Sequence, residues 1–230
     1  MKRIVTTILL TLLFMGVAGA GNIRLPEPDK TRTTLQVSEA LAARHSVREF
    51  VSDPLSLQDV SDLCWAACGI NRKDGRRTAP TAMNKQEIRL FVFNADGVYE
   101  YLPSVNELKL YAAGDHRGLV AGGNGFSQDF VLGAPLSLVM VIDFDVFGSR
   151  NERAVMMTCV DAGNVSENIN LFCQATGLAT VPRASMDAEG IRTLLGLPEN
   201  CLPILNNPVG YPAGAQELRS AKLMIPVTRK

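Results

Sequence analysis

Apolar positions in this chain follow two periods. Leu57, Val60, Leu63, Cys64, Ala67 and Cys68 recur at helical spacing and form one stripe. Ser56 is a suitable N-cap, with Asp59 three residues on to complete a capping box. Leu55 and Val60 are placed as a hydrophobic staple, and Gly69 supplies a stop. A shorter helix is expected over 35–43, with Leu35, Ser38 and Leu41–Ala42 on one side. The period then changes. Ile88 to Phe93 and Val98 to Tyr101 flank Asn94-Ala95-Asp96-Gly97, a hairpin signature. Leu136 to Phe144 is a continuous apolar run and reads as a strand buried on both faces. A long helix is predicted from about Arg150 to Thr176. It carries Asp161-Ala162-Gly163, small residues that admit close packing at a propensity cost of about 1 kcal/mol for the glycine. A short helix, Asp187 to Leu195, precedes a last strand near Ile204 to Val209. Helices, hairpin, strand, long helix and strand, in that order, give an α+β domain rather than a regularly alternating one.

The first twenty residues stand apart. Lys2 and Arg3 precede an apolar run from Ile4 to Val17, and Ala18-Gly19-Ala20 is a cleavage pattern. This reads as a secretory signal cut before Gly21. The run is shorter than the ~20 residues a spanning helix needs, so no stable membrane anchor is expected after cleavage. The chain is then exported, to the periplasm or the cell surface. Residues 21–33 are Pro-rich and charged and read as an extended lead-in, 34–212 as the folded domain, and 213–230 as a C-terminal extension.

Composition narrows the classes. The 230 residues are 47% hydrophobic, enough for one domain with a sizeable core. Basic and acidic residues balance at 23 each, so no nucleic-acid surface is indicated. Five cysteines (Cys64, Cys68, Cys159, Cys173 and Cys201) leave an odd one, and Cys64 and Cys68 lie one helical turn apart. There is no C-x-x-C, and the histidines are His45 and His116 alone, so a zinc site is not expected. Most of the cysteines read as small buried hydrophobes.

Candidate chemistry centres on Arg44-His45-Ser46-Val47-Arg48. In an extended segment Arg44, Ser46 and Arg48 share one side. Two guanidiniums and a hydroxyl on one side read as a phosphate or carboxylate site, or as a solvated basic edge. Arg77 to Gln86 is a loop entering the first strand with two carboxamides, suited to the edge of a flat heterocycle or to simple turn roles. Gly177 to Ser185 is either a backbone for close ligand approach or an ordinary helix end. Asn207 to Pro212 ends the last strand. No G-x-G-x-x-G, G-x-x-x-x-G-K-S/T or G-x-S-x-G occurs, and Gly122-Gly123-Asn124-Gly125 reads as a flexible loop rather than a phosphate cradle.

Taken in order, these segments resemble the flavin-dependent nitroreductase family. The matching stretches are R-H-S-V-R-E-F at 44–50, the helix over 63–72, R-R-T-A-P-T-A-M-N at 76–84, D-A-G at 161–163, G-L-A-T-V-P at 177–182 and V-G-Y-P at 209–212. The stretch at 69–80 is also similar to a subgroup near azoline-oxidising peptide dehydrogenases. The resemblance implies a central sheet flanked by helices and a homodimer with FMN in the interface. It implies that Arg44 and Arg48 hold the FMN phosphate with help from Ser46. His45 would meet the ring through its backbone, Asn84 the pyrimidine edge, and the amides of Ala184 and Ser185 the hydride-carrying nitrogen. NADH or NADPH would be the donor and a nitroaromatic, quinone or similar small molecule the acceptor. No catalytic side chain is assigned. Two alternatives stay open: an exported flavin- or ligand-binding protein without nicotinamide-driven turnover, and a peptide azoline dehydrogenase. Thr81 stands where many relatives have Ser, and Ala184 where some have an acid. Arg219 or Lys222 is a candidate for a further phosphate contact.

Overall fold

Two back-to-back rows of apolar side chains build the middle of the molecule. The computed structural model describes residues 21–33, 35–123 and 125–214. The signal segment, Arg219 and Lys222 lie outside the described residues. In chain order the elements are β1 (Ile23–Arg24), α1 (Val37–Ala43), β2 (Phe50–Val51), α2 (Leu57–Cys68), a 3-10 turn (Ala82–Asn84), β3 (Ile88–Asn94), β4 (Gly97–Leu102) and β5 (Glu107–Ala113). There follow α3 (Arg117–Ala121), β6 (Gly122–Gly123), β7 (Phe126–Ser127), α4 (Phe130–Gly133), β8 (Leu136–Asp143), α5 (Phe144–Phe147), α6 (Glu152–Thr176), β9 (Ala179–Thr180), α7 (Ala188–Leu194) and β10 (Cys201–Pro212).

The main sheet runs β1-β5-β4-β3-β8-β10-β2, with β9 also on β10, and every pairing is antiparallel. Leu90, Val92, Leu138, Met140 and Ile142 face α2 and α6, meeting Leu63, Cys64, Val165 and Ile169. Phe91, Phe93, Val139 and Val141 face the other way, against Val120, Ile191 and Leu195. The period of two sends alternate residues of one strand into two cores, which is why β8 reads as an unbroken apolar run. Each such side chain contributes about 1.5–3 kcal/mol by leaving water.

The start of α2 forms as its sequence predicts. The Ser56 hydroxyl accepts from the Asp59 amide at 3.0 Å, and the Asp59 carboxylate accepts from the Ser56 amide at 3.0 Å. Asp59 also pairs with Arg32 and accepts from the Tyr211 hydroxyl. The buried Asp62 accepts from the Asp29 amide and from Arg32. The lead-in is thereby tied to α2, and Leu25 is buried. Gly69 caps the end of α2 with its amide donating to the Trp65 carbonyl, and it is glycine because a side chain there would run into Trp65. Gly177 ends α6 at φ 75°, a left-handed conformation that glycine adopts without strain.

Several expectations need correction. The first helix begins at Val37, where Gln36 and Glu39 form its capping box, and the long one at Glu152, after Asn151 accepts from the Ala154 amide. The last strand spans Cys201–Pro212, longer than expected, because the pairing with β8 continues on both sides of a register shift that leaves Ile204, next to Pro203, without a partner. The glycine-rich stretch at 122–125 contributes to a short hairpin, with Gly122 opposite Ser127 and Gly123 opposite Phe126. β5 carries no clean alternation, with Leu108 buried beside the exposed Lys109, and the pattern does not announce it. All five cysteines are free thiols; burial pushes Cys68 up to about 11 and raises Cys64 and Cys173 further above the ordinary thiol range.

Candidate functional site

The Arg44 segment is extended because it is stitched on both sides. Helix α1 closes with the Arg44 amide donating to Ala40, after which the backbone straightens. The Val47 amide donates to the Thr180 carbonyl at 3.0 Å and the Ala213 amide to the Glu49 carbonyl at 3.1 Å. β2 then pairs with Tyr211 and Pro212. Val47 is held inward, and the residues on either side of it point away. Arg44, Ser46 and Arg48 are all exposed. Among the described residues, neither Arg44 nor Arg48 has a carboxylate partner. His45, Ser46, Arg48, Glu49 and Pro212 line an open groove of about 370 Å³, and Arg44 sits just outside it. His45 turns its Nδ1 back to donate to the Ala43 carbonyl at 2.9 Å.

Arg48 does not stand alone. Its guanidinium lies over the Phe130 ring at 5.9 Å, and that of Arg183 lies over the same ring at 5.6 Å. Arg183 is buried, yet it meets only neutral acceptors. These are Gln128 Oε1 at 2.6 Å, the carbonyls of Val120 at 3.0 Å and Ala121 at 3.1 Å, and Asn206 Oδ1 at 2.8 Å. Burial, and then the charge of Arg48, pull its pKa below the ordinary arginine value. Two cations therefore share one ring and, among the described residues, pair with no anion, which makes this corner electropositive. Sequence reasoning missed Arg183 and Phe130. Arg183 was visible in the stretch after Gly177, but nothing local marks it as buried.

Ala184 and Ser185 follow Arg183 directly, on the same corner. Arg183 and Asn206 exchange backbone hydrogen bonds at 2.8 and 2.7 Å, and the Ser185 carbonyl accepts from Asn206 Nδ2 at 3.2 Å. Among the described residues neither the Ala184 nor the Ser185 amide has an acceptor. Their side chains are exposed, so two backbone donors remain for a ligand.

Asn84 is elsewhere. It ends the 3-10 turn that leads into β3 at Ile88, opposite Ile142, whereas the Arg48 segment leads into β2 beyond the Leu136 end of β8. The strand between those ends, Leu136–Asp143, sets them about 20–25 Å apart at ~3.4 Å per residue. One chain does not bring Asn84 to Arg48. The Asn84 loop is strained: Met83, Asn84 and Gln86 have φ of 54°, 54° and 56°. It is anchored by the Ala82 amide donating to Asp161 Oδ2 at 2.8 Å and the Gln86 amide donating to the Thr81 hydroxyl at 2.9 Å.

The model of the nitroreductase family matches residues 41–211. A provisionally named nitroreductase of Methanocaldococcus jannaschii is 30% identical over 201 residues, covering 82% of this chain and 95% of that protein. The crystal structure of another provisionally named nitroreductase, from Ralstonia eutropha JMP134, is 33% identical with a TM-score of 0.77, covering 86% of this chain and 92% of that one. A chain of the Escherichia coli microcin synthetase McbBCD complex, with truncated pro-MccB17 bound, shares the fold at a TM-score of 0.61 and 19% identity, over 91% of this chain and 84% of that one.

Proposed function

This chain belongs to the nitroreductase family of oxidoreductases, and from that premise we propose that it is an exported, FMN-dependent enzyme passing electrons from NADH or NADPH to a nitroaromatic, quinone or similar flat acceptor. The observation that carries the reading is the corner where Arg48 and Arg183 share the Phe130 ring without an anion. The residues there suit the group. Arg44 and Arg48 supply charge-assisted hydrogen bonds to a terminal phosphate, each worth about 1.5–3 kcal/mol. Ser46 adds a hydroxyl donor. The amides of Ala184 and Ser185 direct two donors at the ring, and the His45 backbone borders it. Bound FMN supplies the hydride and electron chemistry; the protein orients it and excludes competing reactions.

The separation of Asn84 from Arg48 is what a shared site requires. A second copy related by a two-fold axis delivers its own Asn84 carboxamide to the pyrimidine edge of a ring whose phosphate Arg48 holds. The face beside Asn84 suits such a pairing: Met83, Met156 and Val160 are 71%, 61% and 60% exposed, and the last two lie one turn apart on α6.

The test is anaerobic. With FMN bound, NADH or NADPH bleaches the yellow absorbance, and a nitroaromatic or quinone restores it. Bound flavin that no nicotinamide bleaches returns the protein to a binding role. A second reading, oxidation of a peptide azoline, is favoured by the fold shared with a chain of a complex holding pro-MccB17. It predicts that an azoline-bearing peptide bleaches the flavin without nicotinamide.

A further inference from the structure

Under the Asn84 loop lies a polar cluster that the reading above does not use. Glu87 is fully buried, and neither of its carboxyl oxygens meets a donor. Its neighbour is the Asp161 carboxyl of α6, also buried, which accepts from the Ala82 amide at 2.8 Å. Two carboxylates side by side away from water repel, unless one carries a proton and donates it to the other. Among the described residues the cation that acts on Glu87 is Arg77. It makes no ion pair with Glu87; its Nη1 donates to the Ile88 carbonyl at 3.1 Å and its Nε is buried without a partner. Around Arg77 stand the Cys68 thiol and the Tyr101 hydroxyl, both held neutral by burial. Among the described residues, three of the four buried side-chain atoms without a hydrogen bond belong to Glu87 and Arg77.

We infer that Glu87 and Asp161 act as one proton-sharing pair that holds the Thr81–Gln86 loop, and with it the Asn84 carboxamide, in its strained shape, and that loss of the shared proton releases the loop. Once ionised, Glu87 is repelled by Asp161 and has an orphan donor waiting at Arg77 Nε. The exchange of partners pulls on both anchors of the loop, since Asp161 holds Ala82 and Glu87 follows Gln86 in the chain. Burial, followed by the Asp161 carboxyl, raises Glu87 to about 7, so the change falls near neutral pH. The sign follows from the raised value. The pair's contribution is complete below the ordinary glutamate range, near 4.5, and is lost as pH rises through about 7. The loop half of this inference stands alone; its bearing on a cofactor rests on the function proposed above.

Amide hydrogen exchange on the full chain decides it. Rates at Ala82 and Gln86, corrected for intrinsic exchange and referred to Val139 in β8, are compared about 1.5 units below and above the Glu87 value. The expected result is at least a ~10-fold loss of protection at the higher pH in the native chain, and none in Glu87→Gln, whose carboxamide donates to Asp161 at either pH. Native protection that does not change, or an equal loss in Glu87→Gln, overturns the inference. FMN titrated at the same two pH values weakens in parallel in the native chain alone. Failure of FMN to bind at either pH instead removes the flavin reading and leaves the exchange rates to judge the pair.

Discussion

Replacing Arg48 by alanine weakens FMN binding at least about tenfold, the equivalent of ~1.4 kcal/mol. Arg48 is exposed and makes no ion pair with any described residue, so truncation removes no carboxylate contact from the folded chain. What it removes is part of the positive potential over Phe130 and, in the function proposed above, a donor pair to phosphate. Quenching of FMN fluorescence on titration with protein gives the dissociation constants. Stability works as the control. Burial first and the charge of Arg48 second lower the Arg183 pKa, so losing Arg48 relieves a repulsion between two cations and leaves the unfolding midpoint unchanged or slightly raised. Equal FMN affinity in the two proteins takes Arg48 out of the site.

Arg183→Ala has the opposite signature. Two carbonyls and two side-chain amide oxygens lose a donor, and of the four the Ala121 carbonyl keeps a second one, the Gln128 amide at 3.0 Å. Leaving buried acceptors unpaired costs about 1–3 kcal/mol for the first and less for those that water or repacking then reaches, so a loss of roughly 2–4 kcal/mol is expected. Part of the cost is offset because an unpaired buried cation is removed as well. Urea unfolding reads the change as a lower midpoint at constant slope. The strand partners move with it: Arg183 spans from the turn after β9 to Asn206 on β10 and the end of α3, so Ala184 and Ser185 lose their register and FMN binding weakens too. A variant as stable as the native chain shows that the four acceptors find other donors.

The contrast between these two arginines explains how far the sequence could be read. Arg48 was legible because its setting is local: an extended run fixes which side chains share a side, and the run's own residues say so. The same holds for α2, where Ser56 and Asp59 cap within four residues, and for β8, whose unbroken apolar run means burial on two faces. Arg183 and Glu87 owe their character to burial by α3, α6 and β10, and no neighbour in sequence reports that. The Asn84 loop was visible as a carboxamide-bearing loop, but its left-handed residues and its hold on Asp161 are tertiary facts. β5 escaped notice because its strand character comes from pairing with β1 and β4 rather than from alternation. The full length of β10 was hidden by Pro203 and Pro208, which stand in register opposite Val141 and Ser137 although neither can donate to the ladder.

Everything functional in this account depends on a flavin phosphate seated against Arg48 and the Arg183 corner. The most direct measurement is the visible absorption spectrum of the purified chain after incubation with FMN and removal of excess. The expected result is a yellow protein with stoichiometric FMN whose affinity falls when Arg48 is removed. A colourless protein that takes up no FMN contradicts it.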